Sequence, residues 1–249
     1  MSCGCVTTSA DFPAITPLAE NLWLLSYALP LAGVDLRRNV VIVRLSSGEL
    51  VILSSGPFTA ENIAAITAAG RPRWLVDGML RHDTFAKEGR AAFPDVAYLA
   101  PPGFGQRVPF PVQPILPAPP EWENELLALE LHGVPSMRET VFFHAASRTL
   151  IVQDLAFNFH DHQPLWTEIV LRAAVGKAHA PGISRSFKLT MRDRGAFHRS
   201  LDEMLAWDFD RVIVGHGERI ESDGKRKLGA ALERAGFNTN SAESGGLIA

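Results

Sequence analysis

A chain of 249 residues with 47% hydrophobic and 20% charged residues carries enough apolar material for a sizeable core, which excludes a disordered or fibrous protein. A formal net charge of −3, with no lysine or arginine block, argues against nucleic-acid binding through a basic surface. No apolar run reaches membrane-spanning length, and Met1 to Phe12 lacks the basic start and apolar stretch of a signal peptide, so a soluble cytoplasmic protein without membrane contact is expected.

In chain order, residues 1–11 read as a flexible N-terminus whose Cys3 and Cys5 are free thiols on a mobile end rather than a metal or redox pair. Leu18 to Tyr27 reads as a first strand. Asn39 to Leu45 and Leu50 to Leu53 form a hairpin around a Ser-Ser-Gly-Glu turn. Thr59 caps a helix that runs through Ile66 and stops at Gly70. A short strand over Trp74–Val76, a helix from Thr84 to Ala92 capped by Asp83, and a strand over Val96–Leu99 follow. The proline-rich stretch from Pro109 to Pro120 is expected as extended loop.

Strands resume at Leu126–Leu131, Thr140–His144 and Thr149–Val152. Helices are expected over Leu165–Val175, over Arg194–Trp207, where Phe197, Leu201, Met204 and Leu205 fall at helical spacing, and over Lys225–Ala235. The last strand is Arg211–Val214, and 237–249 reads as a disordered tail. The order is β-rich first, then alternating β and α, twice over. That pattern predicts one α/β domain over 12–236, with two packed sheets and helices outside.

The chemistry concentrates at two strand ends. Leu150-Ile151-Val152 runs into Gln153-Asp154, and Val212-Ile213-Val214 runs into Gly215-His216-Gly217. Continuous β-branched runs read as buried strands, and functional side chains gather where such strands open into loops. Asp154 is either a metal ligand or the partner of an arginine or histidine, since a lone buried carboxylate is costly. His160 and His162 have chelate-like spacing but read first as surface-loop histidines. Arg185, Lys188, Arg192 and Arg194 read first as a solvated helix face. No Gly-x-Ser-x-Gly elbow, phosphate-cradling glycine loop or dinucleotide fingerprint is present.

The chain resembles the metallo-β-lactamase superfamily, and within it a divergent family of unknown function. The matching stretches are Arg37 to Leu50, Phe93 to Gly103, Glu139 to His144, Ser147 to Asn158, and Asp193 to Gly217. The resemblance implies an αββα four-layer sandwich and a metal site fed by a His-x-His-x-Asp-His motif, a later His, a bridging Asp and a final His. Here residues 77–83 read Asp-Gly-Met-Leu-Arg-His-Asp, so Gly78 and Leu80 stand at the first two histidine positions, and the later His position falls at Gly133–Pro135 beside His132. The motif is degenerate: the first metal position should be empty. Its implied remainder is a metal set drawn from His82, Asp83, Asp154 and His216, with Asp154 and His216 as the catalytic pair. That set suits at most one zinc, iron or manganese ion. Two function classes follow. One is a hydrolase-like enzyme acting on an ester, thioester or amide of an unidentified small molecule. The other is a non-catalytic ligand-binding or interaction protein that has lost the metal.

Overall fold

The stretch 18–27 holds the end of one strand, a turn and a second strand rather than one long strand, because Asn21, at φ 61°, sits in the reversal between β1 (Thr16–Ala19) and β2 (Leu22–Tyr27). The computed structural model describes residues 13–31, 33–159, 165–175 and 181–237, so the expectations placed on Cys3, Cys5, His160 and His162 lie outside the described residues. A small hairpin, β3 (Pro30–Leu31) and β4 (Val34–Asp35), precedes the expected one between β5 (Arg38–Arg44) and β6 (Glu49–Leu53). The β5–β6 register runs from Val41 opposite Leu53 to Arg44 opposite Leu50, with Gly48 at φ 80° in the turn.

Helix α1 (Ala60–Ala69) starts as expected at Thr59, whose hydroxyl accepts from the Asn62 amide while the Asn62 side chain accepts from the Thr59 amide. After β7 (Arg71–Val76), α2 (Ala86–Ala92) is shorter than expected. Its first residue follows Phe85 with no side-chain cap, and Asp83 is engaged elsewhere. Strand β8 (Ala97–Ala100) is followed by β9 (Gln113–Pro114), a two-residue pairing inside the stretch expected as loop. It lies at the sheet edge, where a missing proline N–H is tolerated. The sheet order is β1-β2-β5-β6-β7-β8-β9.

The second half supplies β10 (Leu126–Glu130), β11 (Thr140–His144), β12 (Thr149–Ile151), β13 (Ala156–Asn158), α3 (Leu165–Val175), β14 (Gly182–Ile183), α4 (Arg185–Thr190), α5 (Arg194–Ala206), β15 (Arg211–Ile213), β16 (His216–Gly217) and α6 (Gly224–Arg234). The second sheet has the order β10-β11-β12-β15. Strands β12 and β15 run parallel with Leu150 opposite Val212, so both chains leave the sheet at the same edge. That register positions the site. Beyond the edge, β13 and β16 pair in parallel, Phe157 opposite His216, with β14 on the other side of β13.

Three apolar layers hold the elements together. Between the sheets, Val41, Val51, Trp74 and Val76 of the first meet Leu126, Phe142, Ile151 and Ile213 of the second. The outer face of the first sheet buries Ile42, Ile52 and Leu75 against Ile66 of α1 and Ala86 of α2. The outer face of the second buries Phe143, Leu150 and Val212 against Phe197 and Leu201 of α5 and Leu228 of α6. The result is helix, sheet, sheet, helix: the expected αββα sandwich. None of the described helices is long and apolar enough to cross a membrane.

Candidate metal centre

His82 sits in the turn between β7 and α2, Asp154 three residues past β12, and His216 at the start of β16. The parallel β12–β15 register carries the last two to one edge, and the adjacent β7 end brings the first. The Asp154 Oδ1 atom lies 3.1 Å from His82 Nε2 and 3.2 Å from His216 Nε2. One ligand atom from each of the three residues falls within 4.8 Å of the others. The two rings meet edge to face at 5.3 Å, and Phe157 stacks on His216 at 5.4 Å.

The far side of each ring decides what the near side can be. His216 Nδ1 is 2.6 Å from the Arg37 carbonyl oxygen, an atom that only accepts, so Nδ1 carries the proton. His82 Nδ1 faces Gln153 Oε1 at 3.1 Å, and that oxygen also accepts from the Ser54 hydroxyl at 3.0 Å. Burial and the nearby Arg38 guanidinium push His82 below the usual imidazole range, which favours its neutral form. A neutral ring protonated at Nδ1 presents a bare lone pair at Nε2. Burial raises Asp154, but charge and hydrogen bonds from His82 and His216, supplied when their Nε2 atoms carry protons, outweigh it and hold the carboxyl well below its ordinary range. Two Nε2 atoms and a carboxylate oxygen thus converge on one point, where a cation could take the place of the protons shared between them. Carbonyl acceptors on the opposite ring nitrogens are the usual outer support of metal-bound histidines. Two imidazole nitrogens and one carboxylate oxygen fit a single zinc, iron or manganese ion.

Each of the three side chains, or the loop that carries it, is pinned from a distant part of the chain. The buried Glu139 carboxylate accepts from three consecutive amides, Gln153 at 2.7 Å, Asp154 at 2.9 Å and Leu155 at 2.8 Å. Burial first, and then the neighbouring Asp154 charge, push Glu139 up to about 8, against the pull of those three donors. Asn39 donates to the carbonyls of Val214 and Gly217 at 2.8 and 2.9 Å, and its own amide reaches Gly215 O at 3.0 Å. Beneath His82, Arg38 is 2% exposed; it pairs with the fully buried Asp77 at 3.1 Å and donates to the His82 carbonyl at 3.3 Å. Ser55 and Tyr98 hydroxyls complete the Asp77 environment. None of these supports was singled out from sequence as a functional residue. Asp77 and Glu139 entered the sequence reading only as the first residues of the 77–83 motif stretch and of the matching stretch Glu139 to His144.

Asp83 does not join the trio: its carboxylate accepts from Arg107 Nε at 2.9 Å and Nη2 at 3.2 Å. It is also not the cap of α2, so both roles expected for it give way to the ion pair. Gly78 is closely enclosed. A Cβ there would stand 2.9 Å from Phe142 Cε2 and 3.0 Å from Thr140 O. Leu80 packs into the apolar layer under α1 and α2. Installing the absent pair, Gly78→His with Leu80→His, is expected to leave metal content no higher than one equivalent. Gly78→Ala alone should cost about 1–3 kcal/mol by overpacking, read by thermal melting. Elsewhere, His144 Nδ1 pairs with the Ser147 hydroxyl at 2.7 Å, and His198 packs on Phe237. Arg194 lies over Phe237 and Lys188 near the same ring, so this part of the basic stretch covers an aromatic residue.

A cavity of about 450 Å³ opens beside the trio, lined by His82, Asp154, His216, Arg38 and Arg81 and by apolar residues that include Leu31, Phe157 and Leu189. No protein-family model and no curated protein matches the chain. Solved structures do. A metallo-β-lactamase from Erythrobacter litoralis superposes with a TM-score of 0.61 at 15% identity, covering 90% of this chain and 97% of its own. DIM-1 metallo-β-lactamase gives 0.60 at 14% identity, covering 90% and 98%. The mono-zinc form of FIM-1 from Pseudomonas aeruginosa gives 0.59 at 12% identity, covering 90% and 96%. At such identities the likeness concerns the path of the backbone, and on that ground the chain has the fold of the metallo-β-lactamase superfamily.

Proposed function

We propose that this protein is a hydrolase-like enzyme that holds a single metal ion at His82, Asp154 and His216 and acts on an ester, thioester or amide. The observation that carries the reading is the convergence of two imidazole Nε2 atoms and a carboxylate oxygen at the edge of an open cavity. When bound, such an ion supplies Lewis-acid polarisation of a carbonyl oxygen and activates water at neutral pH. The chain's own residues do the rest. Arg37 O and Gln153 fix the ring tautomers, Glu139 holds the Asp154 loop, and Phe157 shields one face of His216. The mono-zinc form among the structural neighbours is consistent with one-ion occupancy on this fold.

The second reading, a ligand-binding or interaction protein without catalysis, is favoured by one feature: the closed packing around Gly78 leaves no room for a histidine at the first motif position. Elemental analysis after reconstitution with zinc, iron or manganese separates the two. About one equivalent retained on desalting supports the enzyme reading; less than about a tenth of an equivalent of every ion refutes it in favour of the second.

A further inference from the structure

All five large apolar side chains that stand exposed among the described residues belong to three elements. Leu31 is on β3, Leu165, Trp166 and Ile169 are on α3, and Leu189, 84% exposed, is on α4. These three elements ring one opening. Leu31 and Leu189 line the cavity beside the trio directly. Val170, one helical turn from Trp166, lines it from α3, and Trp166 reaches across to Gly33 in the β3–β4 turn. Exposed apolar residues scattered singly need no explanation, whereas their collection at one mouth marks a binding surface.

The charged lining of the same cavity has the opposite character. Arg38, Arg81 and Arg185 line it against a single carboxylate, Asp154. Arg38 spends its Nε and Nη2 on Ser55 O, Asp77 and His82 O, and its Nη1 makes no hydrogen bond among the described residues. Arg81 is exposed and has no ion pair among the described residues. A ligand that satisfies both halves has an anionic oxygen head for the guanidinium groups and an apolar tail for the rim.

We infer that the cavity binds aliphatic acyl compounds, with an anionic oxygen-bearing head at Arg38 and Arg81 and a hydrocarbon chain leaving between Leu31, Val170 and Leu189. This names the substrate class of the proposed hydrolase site and rests on that reading. The arginine and leucine contacts do not depend on the ion, so the ligand class and the metal can be tested apart.

The experiment is calorimetric titration of the full chain, after chelation, with straight-chain carboxylates from butanoate to dodecanoate below their micellar concentrations. Affinity is expected to rise about fourfold per added methylene until the rim is covered, as burial of each CH₂ requires. Leu189→Ser, at an exposed position, should weaken dodecanoate about tenfold and leave butanoate unchanged. Arg81→Glu should weaken every chain length by a similar factor. An affinity independent of chain length overturns the inference. So does equal binding of the matching alkanols, which lack the charge. Co-sedimentation with phosphatidylcholine vesicles without any carboxylate binding would assign the rim to a bilayer and overturn it as well. Carboxylate binding by chelated protein, alongside metal content below a tenth of an equivalent, would keep the ligand class and discard the hydrolase.

Discussion

Asp154→Ala is expected to abolish retention of the ion while the fold persists. Asp154 Oδ1 is the atom both rings face, at 3.1 and 3.2 Å, and without it only two imidazoles remain. A site with three protein ligands does not survive the loss of one. His216→Ala should do the same, and it also releases the Arg37 carbonyl from its partner at 2.6 Å. Replacing Cys3 and Cys5 with serine should leave metal content unchanged. Elemental analysis of desalted protein, paired with urea unfolding of the metal-free variants, reads both halves. If the trio is instead purely structural, each alanine variant should lose about 1–3 kcal/mol of stability with metal content unaltered.

The larger stability effect is expected at a residue that touches no ion. Glu139 is fully buried, and its two oxygens serve three consecutive backbone donors. Alanine would leave the amides of Gln153, Asp154 and Leu155 buried without an acceptor, at about 3–5 kcal/mol for the set. Glutamine keeps the shape but turns an NH₂ group toward amide donors, so it should recover only part of that loss. Urea denaturation gives the stability change. Amide exchange should show faster protection loss at residues 153–155 than elsewhere in the second sheet, because the loop opens before the strands do. Metal retention should fall in step, since this loop carries Asp154.

What could be read in advance divides along a physical line. The β12 and β15 runs, Leu150–Val152 and Val212–Val214, are continuous β-branched or branched apolar segments, so their endings at Asp154 and His216 were visible as strand ends; that the two ends share an edge follows from the parallel register of the strands. Helix α3 was recoverable to the residue, and α5 and α6 to within one, because their apolar spacing is local. The supports were not recoverable. Asn39 meets its acceptors more than 170 residues away, and Arg38 meets Asp77 39 residues away. No local pattern encodes such partners. Asp83 was drawn into the site by its place at the last position of the family motif, whereas the residue that claims it, Arg107, lies 24 positions further on. The two- and three-residue strands β9, β13, β14 and β16 are too short to show any periodicity, and they exist because an edge is there to pair with.

The anchoring of His216 by Asn39 has a consequence in time. The loop 214–217 is tied to a residue on β5, a strand from the opposite sheet and the first third of the chain. A polypeptide emerging from the ribosome thus completes β5, His82 and Asp154 long before it can seat the third donor. Until then the Asn39 side chain has no Val214 or Gly217 carbonyl to receive its protons. At the proposed site, capture of an ion is therefore expected as a late event, coupled to docking of the two sheets. Pulse labelling with a radioactive metal on chains stalled at successive lengths would show no uptake before residue 217 has cleared the exit tunnel, and full uptake soon afterwards.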